Sequence, residues 1–170
     1  MAYDAFVVFT GEPKVQGETT DKTFAAKKAL EIYSFSLGAS NPSTIGSAGG
    51  GGGAGKVSLS SFNFMKRTDT SSPVLFTACA TGAHFDKVEV FLRKAGGTAG
   101  QEPYLTYTFD EVFVDSIQWS GSSGGDDTPT ESVSIAFGKI TIDYKPQKEK
   151  GTLGDSVMAY WDVRQNAPVK

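Results

Sequence analysis

The stretch "LTYTFDEVFVDSIQW", Leu105 to Trp119, decides the fold class. Apolar and polar residues alternate along it, which is the period of a β-strand, where successive side chains point to opposite faces. Leu105, Tyr107, Phe109, Phe113, Ile117 and Trp119 share one parity, interrupted by Glu111 and Asp115. The expectation is one long strand with that set on its buried face. Strands of this length, bent along the way, turn the corners of closed or nearly closed barrels.

Working outward, the same period recurs between clusters of Gly, Ser, Pro and Asp. "YDAFVVF" (Tyr3 to Phe9) opens the chain, and "LEIYSFSLG" sets Tyr33, Phe35 and Leu37 against Ser34 and Ser36. "KVEVFLR" divides Val88, Val90 and Leu92 from Glu89, Phe91 and Arg93. "VMAYWDVR" puts Val157, Ala159, Trp161 and Val163 together. Two segments change phase part-way: "KVSLSSFNF" at Ser60-Ser61 and "SVSIAFGKITIDY" at Gly138-Lys139. One residue more or less flips the faces of a strand, so a bulge or sharp bend is expected at both. One helix is predicted, over "SSPVLFTACATG": Ser71 or Ser72 at its cap, Pro73 in its first turn and Gly82 at its end. Leu75, Ala78 and Cys79 would face the barrel, whereas "TFAAKKALE" reads as a turn leading into a strand.

The chain has 170 residues and no linker that would divide it, so residues 1–170 are expected to form a single domain. The predicted fold is mainly β: an antiparallel β-barrel of two packed sheets with one flanking α-helix. Three loops stand out, at 41–55, 121–129 and 145–154. No apolar run approaches the length of a membrane span, and the first residues lack the basic start of a secretory signal. A lone cysteine, Cys79, forms no intramolecular disulfide and suits a reducing compartment. A net charge of -3 argues against a general nucleic-acid binder.

Catalytic, cofactor and metal sites are absent from the reading. "GGGGGAGK" has the spacing of a phosphate-binding loop, but Val57 follows Lys56 where Ser or Thr must hold Mg²⁺, and a strand follows where a helix is needed. The single histidine, His84, is assigned a structural hydrogen bond, and Cys79 a packing role. Asp110-Glu111 point to opposite strand faces, which makes a poor acid–base pair. Asp126-Asp127 lie in a polar loop as solvated charges. Trp119 and Trp161 both keep the parity of their strand's apolar set and are assigned to the core.

Seven stretches taken in order resemble the Hcp family of bacterial type VI secretion: "GETTDKTF" leading to "SFSLG"; "GGGGGAGKV"; "FNFMKRTDTSSPVLFTACATGAHF"; "VFLRKAGG"; "YLTYTFDEVFVDSI"; "PTESVSIAFGKITIDYKPQ"; and "WDVRQN". Phe24 departs from the family, whose members often carry His there. The resemblance implies a compact barrel similar to phage tail-tube proteins, assembled as a homohexameric ring whose copies stack into a tube. It also implies partners: a VgrG-type spike, a contractile sheath, and effector proteins carried or chaperoned in the lumen. The protein would be cytoplasmic when assembled and then secreted without a cleaved signal peptide. By the same resemblance Gly49, Gly50, Gly51, Gly52, Gly53, Gly55 and Lys56 belong to an extended loop that reaches a neighbouring subunit or ring. Phe91 is a further candidate for exposed contact surface. A phage tail-tube protein and a stand-alone β-barrel ligand-binding module are the alternatives.

Overall fold

The computed structural model describes residues 3–42, 55–94, 102–125, 127–148 and 152–169. The chain runs β1 (Tyr3–Gly11), β2 (Leu30–Ile32), β3 (Ser34–Ser36), β4 (Ala39–Ser40), β5 (Ser58–Leu59) and β6 (Phe62–Arg67). Then follow α1 (Ser72–Thr81), β7 (His84–Lys94), β8 (Leu105–Ser120), β9 (Thr130–Tyr144) and β10 (Val157–Asp162).

Every pairing is antiparallel, in the order β2-β1-β7-β8-β9-β6-β3, with β10 added to β9. The order nearly closes on itself, because β2 and β3 are successive pieces of one bent strand. Leu30–Ile32 pairs with β1, Ser34–Ser36 pairs with β6, and the Tyr33 amide between them donates to the Met65 carbonyl at 3.0 Å. The expected barrel with one flanking helix is therefore present, its two packed layers being opposite sides of a single curled sheet. At the bend Leu30 and Ile32 are buried while Tyr33 is exposed, so Tyr33 does not join the inner set with Phe35.

The strand from Leu105 does not keep the single parity expected of it. Phe109, Val112 and Val114 are buried, and Phe113 and Trp119 are 38% and 47% exposed. The inward parity changes at Glu111, which has φ 56° and sits across from Gly138. A side chain at Gly138 would meet the Glu111 carboxylate at 2.6 Å and its Cβ at 3.2 Å, so glycine lets the two strands cross there. The parity changes again at a register shift between Val114 and Ser116. The bends expected at Gly138-Lys139 and Ser60-Ser61 both occur. In β9 the buried set moves from Ile135 to Ile140, and Ser60-Ser61 separates β5 from β6.

The core lies inside this curl. Phe62 packs against Phe35 and Phe109, with ring centroids 5.6 and 5.0 Å away. A smaller core covers the outside of β1 and β7, where Phe24 stacks on Phe6 at 4.2 Å and the Arg93 guanidinium lies over both rings. Phe24, where the resemblance led to an expected His, is thus a ring that buries completely. Phe91, expected as free contact surface, instead packs on Phe24 beneath the Lys27 ammonium.

Helix α1 starts and ends as predicted, with Pro73 in the first turn and Gly82 in the left-handed conformation. Ser71 occupies the N-cap position, but its hydroxyl donates to Asp69 and makes no cap bond. A buried charge cluster anchors the helix instead. Lys66 Nζ lies 2.6 Å from Glu131 Oε1 and 2.7 Å from Asp69 Oδ1, and it donates to Ser72 Oγ at 3.2 Å.

Candidate functional site

β3, β6, β9 and the second half of β8 form a four-stranded wall with alternating strand directions. Pairing register fixes which residues share a face, since partners across antiparallel strands point the same way. The inner rows are Phe35–Phe64–Val133–Ile117 and Phe62–Ile135–Val114. The outer rows are Ser34–Met65–Ser132–Gln118 and Ser36–Asn63–Ser134–Ser116. No member of either outer row is charged. Asn63 ties the face together, its Nδ2 donating to Ser132 Oγ at 2.9 Å and Ser134 Oγ at 2.8 Å.

Both margins of this wall are open among the described residues. β3 pairs only with β6, and β8 beyond Phe113 pairs only with β9, because β7 ends at His84 opposite Phe113. An unpaired strand edge presents a row of backbone donors and acceptors to another strand.

One margin extends into a hairpin. β3 and β6 continue past the bend at Ser60-Ser61 as β4 and β5, where Ser60 N–H donates to the Gly38 carbonyl at 2.9 Å. The hairpin is tied once more by Gly55 N–H to the Pro42 carbonyl at 3.2 Å. A Cβ on Gly55 would lie 2.9 Å from that carbonyl oxygen, so glycine is needed for the approach. Lys56 is exposed just before β5, and Val57 is half-buried. Gly49, Gly50, Gly51, Gly52 and Gly53 lie outside the described residues.

An apolar cleft of about 440 Å³ separates the hairpin from the β8–β9–β10 sheet, lined by Leu37, Leu59, Tyr107, Ile142 and Trp161 among others. Burial pushes the phenols of Tyr107 and neighbouring Tyr104 above the usual range, so both remain protonated. Trp161 is half-buried against the core, close to its expected place. Trp119 is the exception: it stands on the surface against Phe76, ring centroids 5.8 Å apart.

The remaining sequence candidates stay apart from one another. His84 is exposed and packs on the Phe113 ring at 5.7 Å, an aromatic contact in place of the expected hydrogen bond. Cys79 is half-buried against the core, Glu111 pairs with Arg164, and Asp126 lies outside the described residues. Among the described residues no three metal-binding side chains converge, and no helix is long and apolar enough to cross a membrane. What the arrangement offers is a set of surfaces for association. Sequence reasoning did not identify the uncharged face, although its signal stands in "SFS", "SSFN", "ESVS" and "DSIQ": polar residues at every second position, opposite the core set.

The family model described as "Type VI secretion system effector, Hcp" matches residues 6–144 of this chain. The chain belongs to the Hcp family. The Hcp1 protein of Pseudomonas aeruginosa is 40% identical over 112 residues, covering 65% of this chain and 68% of its own. A solved type six secretion system protein superposes with a TM-score of 0.89 at 31% identity, over 99% of this chain and 100% of its own. Hcp1 of Salmonella typhimurium gives 0.78 at 30% identity, over 99% and 100%. As an Hcp protein the chain is a secreted structural component of type VI secretion, the tube protein, and not an enzyme.

Proposed function

We propose that copies of this Hcp protein join edge to edge through the four-stranded wall into a six-membered ring, and that rings stack into the tube. The observation that carries the proposal is a wall with two different open edges and two adjacent uncharged rows on its outer face. β3 and β8 run in opposite directions, so the β8 edge of one copy can add to the β3 edge of the next and keep the sheet antiparallel throughout. Such a contact joins two unlike patches and closes into a ring when the rotation permits. The curl buries the aromatic rows within each subunit and leaves the serine face to line the channel.

The same reading takes six as the count and includes expulsion by a contractile sheath, a spike at the tip and effectors in the lumen, and likeness to the Hcp family supports it. Gly49, Gly50, Gly51, Gly52, Gly53, Gly55 and Lys56 belong to the assembly loop that contacts the adjoining subunit or ring. Assembly takes place in the cytoplasm, and the whole of residues 1–170 acts as one domain.

Light scattering with negative-stain imaging tests the ring: particles of six 18.0 kDa chains are expected, and a monomer at high concentration overturns it. Removing part of Gly49 to Gly53 should reduce tube formation while leaving subunit unfolding unchanged. A collapse in thermal stability would mean that the segment serves the barrel itself.

A further inference from the structure

Between Glu31 and Lys66 the chain carries one charged residue, Lys56. It is exposed at the base of the hairpin tip, and no acidic side chain among the described residues pairs with it. No ion pair among the described residues occupies this cation within the subunit.

At the opposite end of the same strands lies a polar cavity of about 450 Å³, lined by Glu18, Glu31, Asp69 and Arg67. Asp69 is already neutralised by Lys66, and Glu18 accepts the Thr70 amide at 3.2 Å. Glu31 is exposed and has no cationic partner among the described residues. Two carboxylates thus face one guanidinium, which leaves the cavity acidic. At ~3.3 Å per strand residue, the chain from Lys56 to Arg67 covers at most about 35 Å along its bent path, with the lone cation at one end of it and the acidic cavity at the other.

We propose that Lys56 of one copy docks into the Glu18–Glu31 cavity of a second copy placed end to end with it. The inference rests on the tube reading above and names the contact that would hold ring to ring. The two patches are unlike and lie at opposite ends, so the contact is head-to-tail and propagates along an axis without closing on a pair. Apolar surfaces follow the same polarity. Phe76 and Trp119, 52% and 47% exposed, stand at the cavity end beside α1, and the apolar cleft opens beside the hairpin. A single exposed ion pair contributes little, but a stacked ring repeats it around the axis and adds the apolar contact.

Zero-length carbodiimide coupling on an equal mixture of unlabelled and ¹⁵N-labelled chains, read by mass spectrometry, tests the proposal. The expected product is a mixed-isotope peptide pair joining Lys56 to Glu31 or Glu18. Lys56→Glu and Glu31→Lys should each reduce stacking seen by sedimentation, and the double swap should restore it. Both positions are exposed, so thermal unfolding should match the parent in every variant. Stacked rings that yield no Lys56 coupling, or a Lys56→Glu variant that stacks like the parent, overturn this contact while the tube stands. A parent that forms no ring at any concentration overturns both.

Discussion

Lys66 carries its ammonium into the protein wall, where 1% of the side chain is exposed, and Glu131 meets it with none exposed. Burying two charges is costly, and the attraction between them offsets the cost only while both are present. Lys66→Met should therefore destabilise the subunit by about 3–5 kcal/mol, because Glu131 and Asp69 lose their shared cation. Adding Glu131→Leu should recover much of that loss, and urea unfolding of the two single variants and the pair measures it. A double variant no better than Lys66→Met would show that the cluster acts through the helix start alone. Asp21 presents the simpler case. Burial pushes its carboxyl up, but the Arg93 guanidinium and the amides of Phe24 and Thr23 outweigh it and hold the group below the usual carboxylate range. A depressed folded value means that the stabilisation is fully present above the unfolded value of about 3.9 and is lost as pH falls through the folded one. Asp21→Asn should accordingly be less stable than the parent near neutrality, and the two should converge below about pH 4. A gap that stays constant down to about pH 2 would assign the effect to packing rather than charge.

At the scale of elements, β8 tests how the strand faces are set. A uniform parity places Phe113 inside and Val112 outside, whereas the structure buries Val112 and exposes Phe113. Val112→Ala should cost about 2 kcal/mol and Phe113→Ala should stay within about 0.5 kcal/mol, despite the larger side chain removed. Thermal or urea unfolding reads the order directly, and the reverse order would restore the uniform strand. The strands, the helix with Pro73 and Gly82, and the bends at Ser60-Ser61 and Gly138-Lys139 were all legible in the sequence, because each rests on local spacing. Glu111 was not, since its positive φ is set by Gly138 on another strand, and only the pairing brings the two together. Trp119 misled for a different reason: after two phase changes it shares the inward parity of Ile117, but it lies beyond the end of the core, where it packs on Phe76 and stays 47% exposed. The smaller core around Phe24 was hidden because the segment that covers β1 and β7 has no periodicity of its own.

For the whole molecule, the telling feature is an absence of charge where the surface is otherwise rich in it. The outer rows of the wall hold Ser, Asn, Gln and one Met, while charged residues make up 21% of the chain. On a subunit alone such a face has no need to be neutral, since a carboxylate there would be fully hydrated. In a ring joined edge to edge, strands of neighbouring copies lie ~4.8 Å apart, so charges on the strands that flank the junction approach to within reach of one another. At physiological salt the screening length is about 8 Å, so repulsion across neighbouring subunits is felt while that across open solvent is not. Ser34→Glu with Ser132→Glu should thus leave subunit unfolding within about 0.5 kcal/mol of the parent under conditions that keep it monomeric. The ring should weaken at low salt and recover as salt is raised, which analytical ultracentrifugation across a salt series would follow. A ring indifferent to both the substitution and the salt would show that this wall does not meet its neighbour edge to edge.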